Sequence, residues 1–184
     1  LYLIAAVKLA IDDSNLIYHP QKDADFGLVL THENMNLIPF LFKLSDRAFR
    51  MLTDKSKTLS KKEFFDLLYK DCLKIGYDAQ PFMTLFHLGK VFNVRQHSLF
   101  ICNACASGLY ALEAAARDIQ YGVSAAAVVI GSDHPRYRYK FFWFDQQQLF
   151  APDGLIKPFD RHRDGFTLGD GAAALVLEDW RHAK

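Results

Sequence analysis

A chain of 184 residues, 51% hydrophobic and 23% charged, is long enough for one well-buried core and ordinary for a globular protein. A formal net charge of +1 removes any general electrostatic case for nucleic acid or a membrane surface as partner. Three cysteines, an odd number, exclude a disulfide framework and point to reduced thiols in the cytoplasm.

Residues 1–16 place Leu3, Ile4, Val7, Ala10 and Ile11 at helical spacing and predict a helix. The apolar opening is too short for a membrane span and lacks the basic start of a signal peptide. Without a leading Met and beginning inside a helical pattern, the chain reads as a fragment. The run 26–30 predicts a buried strand, and 36–50 a helix. After a polar break over 56–60, Ser60 with Glu63 three residues on forms a capping-box signature. It opens a helix over 61–75 that stops at Gly76, and Pro81 opens another over 82–92. Residues 98–103 predict a strand. An alanine-rich helix follows over 105–121, stopped by Gly122. The continuous apolar run 125–130 suits a parallel strand covered on both faces. An aromatic stretch over 137–144 leads to a turn at Ala151, Pro152, Asp153 and Gly154, and 172–177 predicts a last strand. No repeat, low-complexity tract or linker interrupts the chain. The alternation predicts one α/β domain, a mostly parallel sheet between helices.

The chemistry concentrates where strand 98–103 meets the helix with almost no loop. Cys105 stands at that junction among Ala104, Ala106, Ser107 and Gly108. Small neighbours allow a sharp turn and let a substrate reach the sulfur, the logic of a nucleophile elbow. A helix N-terminus carries about half a positive charge, which favours thiolate, and its unpaired N–H groups can stabilise an oxyanion. The bland alternative is a small buried hydrophobe, the usual fate of a cysteine before a helix. Cys102 and Cys105 also read as C-x-x-C. No second pair and no H-x₃₋₅-H completes a zinc site, and Cys102, read as part of the strand, does not suit a redox pair.

Three histidines could stand as partners to this thiol. His97 lies eight residues back and is expected far from the sulfur. His134 follows strand 125–131, whose end is expected on the Cys105 side, but Pro135, Arg136, Arg138 and Lys140 around it suggest an exposed loop. His162, between Arg161 and Arg163, reads as a solvated surface residue. Asp153, Asp160, Asp164 and Asp170 sit among glycines and prolines, which suits turn chemistry better than a metal.

The stretch 103–115, Asn-Ala-Cys-Ala-Ser-Gly-Leu-Tyr-Ala-Leu-Glu-Ala-Ala, resembles the active-site signature of β-ketoacyl synthases, a T-A-C-[SA]-[ST] elbow leading into an alanine-rich helix. Three further segments resemble that family in the same order. They are Tyr121-Gly122 with 125–132, the Leu149-to-Gly154 turn followed by Lys157-Pro158-Phe159-Asp160, and Asp164-Gly165-Phe166 running on to Ala172. There are departures. Asn103 stands where Thr is common, the G-L-x-G-P before the cysteine strand is missing, 91–97 is shortened, and the opening strand with its G-x-G is absent. Upstream of Phe82 only element order and length match.

The resemblance implies a thiolase-like fold, here its N-terminal half over residues 1–184, truncated at both ends. It implies an acyltransferase without cofactor or metal. An acyl group would pass from an acyl carrier protein or coenzyme A thioester to Cys105, and a decarboxylated malonyl unit would then attack it. The Cys105 N–H would serve the oxyanion, while the two histidines and the Gly-Phe-Gly loop belong to a second half. A dimer, or pairing with that half, is implied, with an apolar face bare in its absence. Phe142 and Phe144 are weak candidates for substrate binding, in an aromatic run (Tyr137, Tyr139, Phe141, Phe142, Trp143, Phe144) that could equally be core or interface. Basic residues at Lys55, Lys57, Lys61 and Lys62 read as a solvated face. Those at Arg136, Arg138 and Lys140 could meet an acidic carrier protein. Two alternatives stay open: a non-catalytic thiolase-fold partner subunit, and an unrelated cysteine hydrolase.

Overall fold

The structure, a computed structural model, describes residues 1–32, 37–54, 59–77, 80–133 and 138–183, without the side chains of 37–39, 71, 74, 75, 138 and 139. Its elements run α1 (Tyr2–Ser14), β1 (Gly27–His32), α2 (Leu37–Thr53), α3 (Lys61–Gly76), α4 (Pro81–Val91), β2 (Ser98–Ile101), α5 (Ser107–Gln120), β3 (Ala126–Asp133), α6 (Arg138–Gln146) and β4 (Gly171–Glu178). The strands form one sheet in the order β2-β1-β3-β4. β1 lies parallel to both β2 and β3, and β4 completes the other edge antiparallel to β3. The expected mostly parallel sheet between helices is therefore present.

The central strands explain their own sequences. A strand covered on both faces has no polar side, so it reads as an unbroken apolar run. Gly27 through His32 are all buried, and so are Ala126 through Ile130. Alternation then divides the core between two faces. On one face Leu28, Leu30, Val128 and Ile130 pack with Val7 and Ile11 of α1, Leu88 of α4, and Phe26. On the other, Val29, Ala127 and Val129 meet Ala111 and Ala115 of α5. Those two alanines, four apart and so on one helical stripe, are both 0% exposed. Having nothing beyond Cβ, they let α5 lie flush against the sheet.

Helix α3 begins as its capping signature predicts. Glu63 N–H donates to Ser60 Oγ at 3.3 Å, and Ser60 N–H donates to the Glu63 carboxylate at 2.9 Å. The Ser60 hydroxyl donates to the same carboxylate at 2.6 Å. This bond first, and the Ser60 amide second, hold Glu63 below the usual carboxylate range. Among the described residues α2 and α3 pack on one another and approach no other named element. Phe42, Phe49, Leu52, Phe65, Tyr69 and Leu73 are left exposed on this pair. No described helix is long and apolar enough to cross a membrane.

The structure departs from the sequence reading in three places. Strand β2 ends at Ile101 rather than 103 and α5 begins at Ser107 rather than 105, so a distinct turn over 102–106 joins them. Residues 138–146, where the aromatic run predicted no element, form α6. Its Phe141 and Phe144 pack on Phe150, with ring centroids 5.9 and 6.2 Å apart, and Phe144 meets Phe166 edge-on at 5.0 Å. Lastly, Lys140 is 7% exposed and donates to Asp133 at 2.9 Å, so it is an internal ion-pair partner and not a surface cation. Arg136, with Lys55 and Lys57, lies outside the described residues, as does the Arg138 side chain.

The glycine of Asp164-Gly165-Phe166 has a clear physical cause. Gly165 has φ +92°, and a Cβ there would stand 2.6 Å from Ala151 N and 2.7 Å from Leu149 O. The crossing it permits is held by Phe166 N–H donating to Leu149 O at 3.0 Å and Ala151 N–H donating to Phe166 O at 2.9 Å. Gly165→Ala is accordingly expected to open this crossing, read as faster proteolysis between residues 149 and 166. An unchanged digestion rate would mean that the crossing is not held by close backbone approach. Ala115→Leu is expected to overpack the α5–sheet contact and cost about 1–3 kcal/mol. Denaturant unfolding measures it, and an unchanged midpoint would mean that α5 stands off the sheet.

Candidate active site

Strands β1, β2 and β3 run the same way, so their carboxyl ends gather on one edge of the sheet, where open α/β sheets commonly hold ligands. The turn 102–106 leaves β2 at this edge. Cys105 lies in it, exposed, immediately before α5. Ala104 adopts φ +48°, the left-handed region in which a residue with a Cβ is costly. That reversal swings the chain from strand direction into helix direction within five residues. It also sets the thiol at the positive end of a 14-residue helix.

Hydrogen bonds close the turn on itself. Ala106 N–H donates to Asn103 O at 3.2 Å and Ser107 N–H to Ala104 O at 3.1 Å. The Ser107 hydroxyl accepts from Asn103 N–H at 2.6 Å and donates to Ala104 O at 2.7 Å. Ser107 is 8% exposed, so its hydroxyl spends both of its roles inside the turn. Leu109 and Tyr110 on the first turn of α5 are 75% and 50% exposed.

Cys102 stands just beyond the end of β2 and is exposed, a correction to its reading as part of the strand. The strand gives way there because the chain must already turn toward Ala104. His97 Nδ1 donates to the Asp118 carboxylate at 2.7 Å. Asp118 is in the last turn of α5, so His97 sits at the far end of a helix about 21 Å long, away from Cys105. His134 lies outside the described residues. His162 is exposed, and its N–H donates to Asp160 at 2.7 Å. Asp153 accepts from Leu155 N–H at 3.0 Å and pairs with Lys157, and Lys157 foremost holds its carboxyl below the usual range. Both aspartates thus do turn work.

The two aromatic candidates part company. Phe144 is half-buried against Trp143, Phe150 and Phe166. Phe142 is 66% exposed on α6. Sequence reasoning missed one contributor, Ser107, which it took only as a small neighbour. Its position two residues after the cysteine, at the first turn of the helix, was the available signal, since serine there can bond backward to the turn. Two polar groups also end the central strands at this edge. They are His32, buried and edge-on to Phe100 at 5.1 Å, and Ser132, its register partner on β3.

Comparison with known proteins gives a consistent picture. The family described as "Beta-ketoacyl synthase, N-terminal domain" matches residues 82–183. The 3-oxoacyl-[acyl-carrier-protein] synthase 2 of Vibrio harveyi is 34% identical over 107 residues, covering 55% of this chain and 26% of that protein. A highly reducing polyketide synthase of Didymella fabae is 30% identical over 119 residues, covering 60% of this chain and 6% of that one. The chain thus spans about a quarter of the length of the Vibrio relative. Among solved structures, a β-ketoacyl synthase from Burkholderia phymatum STM815 superposes with TM-score 0.67 at 22% identity, over 99% of this chain and 42% of that one. A ketosynthase from module 6 of the bacillaene synthase of Bacillus subtilis 168 gives TM-score 0.61 at 18% identity, over 92% and 25%. These two likenesses carry the fold, which is thiolase-like. The sequence match covers more than half of the chain, and on it the protein belongs to the β-ketoacyl synthase family through that family's N-terminal domain.

Proposed function

We propose that this chain supplies the nucleophile of an acyl-condensing enzyme, with Cys105 as the acyl acceptor. The observation that carries this reading is an exposed thiol on a closed, left-handed turn, at the carboxyl edge of a parallel sheet and the N-terminus of α5. Cys105 Sγ attacks the carbonyl carbon of an acyl thioester. The carrier thiol leaves with the proton and an acyl-cysteine thioester remains. A malonyl thioester then loses carbon dioxide, and its α-carbon attacks the acyl carbonyl. The new carbon–carbon bond forms as the Cys105 thiolate leaves. The Cys105 N–H is one proposed donor to the oxyanion of both steps.

The carrier is proposed to be an acyl carrier protein or coenzyme A, with fatty acid or polyketide synthesis as the setting and the cytoplasm as the place. The groups that promote decarboxylation are proposed to come from a segment outside residues 1–184. Exposed Leu155, Ile156, Phe159 and Trp180 support pairing of this half with further polypeptide, from the same subunit or a dimer mate. Phe142, bare on α6, remains a candidate for contact with the acyl chain.

The test is intact-protein mass after incubation with an acyl thioester, in the parent and in Cys105→Ala. An acyl adduct that disappears in the variant is the expected result. A folded parent that takes no adduct would overturn the assignment and favour a non-catalytic partner subunit, and an adduct that persists in Cys105→Ala would overturn it in favour of another nucleophile. The 184 residues alone are expected to yield no β-ketoacyl product from malonyl thioester. Chromatographic detection of that product would show that the decarboxylating groups lie within them.

A further inference from the structure

We infer that Ser107 is a positioning residue for Cys105, and that its hydroxyl fixes the turn on which the thiol is presented. This rests on the reading of Cys105 as the nucleophile. Three observations converge on it. Ala104 holds φ +48°, a conformation that an alanine leaves readily unless its surroundings over-determine it. The Ser107 hydroxyl bonds both ends of the peptide segment around that residue, accepting from Asn103 N–H at 2.6 Å and donating to Ala104 O at 2.7 Å. It is also 92% shielded (8% exposed), so water does not compete for either bond.

The geometry separates this role from simple packing. Ser107 is the first residue of α5, and Ala111, one turn on, is anchored against the sheet with no exposed surface. The hydroxyl therefore ties the turn to a helix whose next turn is packed against the sheet. Cys105 lies between its two bonded partners and the serine itself, so the path from strand to thiol to helix is closed on both sides. Without the hydroxyl, Asn103 N–H loses its partner and Ala104 O keeps only its bond from Ser107 N–H, so residue 104 is held less firmly against return to an ordinary conformation. That return redirects the Cα–Cβ bond of Cys105 away from the end of α5.

The experiment follows site-resolved alkylation of Cys105 by iodoacetamide in the full 184-residue chain, with Cys72 of α3 as the internal reference. Ser107→Ala is expected to slow Cys105 by about fivefold relative to Cys72, the size of one hydrogen bond's net contribution. Ser107→Thr, which keeps a hydroxyl, is expected to restore the rate. Ala104→Gly added to Ser107→Ala is also expected to recover it, because glycine adopts positive φ without the steric cost that alanine bears. Should Ser107→Ala alone fail to fold, the double variant and Ser107→Thr still decide the matter. A Ser107→Ala rate equal to the parent's, or a Ser107→Thr or double-variant rate as slow as that of Ser107→Ala in folded protein, would overturn the inference. Acyl loading of the same proteins is scored separately. Absence of any adduct alongside the expected alkylation pattern would sink the nucleophile assignment and leave the role of Ser107 standing.

Discussion

The parallel pairing of β1 with β3 is the constraint from which the rest follows. It runs in register from Gly27 opposite Ala127 to His32 opposite Ser132, and nearly every residue in it is buried. Two adjacent strands without a solvent face require cover above and below, which α1 and α4 provide on one side and α5 on the other. Parallel neighbours also cannot be joined by hairpins, so helices must cross between them. The crossover from β2 to β3 is α5. Its N-terminus therefore lies where the strands end, and Cys105 stands in the turn at that point.

The legible parts of the sequence were those set by neighbours along the chain. Ser60 and Glu63 read as a cap and form one, since a capping box is complete within four residues. Residues 125–130 read as a doubly covered strand because burial on two faces erases alternation, and 126–130 are buried in β3. The cysteine elbow was visible because its small residues are consecutive. What stayed hidden depends on contacts through space or on rare backbone states. Alanine is an unusual occupant of the left-handed region, so nothing in the letters 102–106 announces where β2 stops and α5 starts. Lys140 looked like part of a basic surface because its partner Asp133 is seven residues away, across the end of β3.

The aromatic stretch shows the same division. Phe141, Phe142, Trp143 and Phe144 leave no polar position to mark a helical face, so periodicity is silent there. What makes α6 is the cluster formed with Phe150 and Phe166, residues on the far side of the turn that Gly165 permits. The motif glycine and the aromatic run are therefore one structural unit, although they stand about twenty residues apart and each reads on its own as an isolated feature.

The elbow can be weighed in the same terms. A left-handed alanine costs roughly 1–2 kcal/mol, and an intramolecular hydrogen bond returns about 1 kcal/mol net. One bond would leave the turn near balance and so poorly defined. Ser107 makes two, and the backbone bonds from Ala106 and Ser107 add to them. Together the four return about 4 kcal/mol against roughly 1–2 kcal/mol of strain, so the turn is held in one conformation. Glycine at residue 104 would remove the strain but also the penalty against other conformations in the unfolded chain. An alanine held by a buried hydroxyl keeps the backbone restricted in both states, and the thiol inherits that restriction.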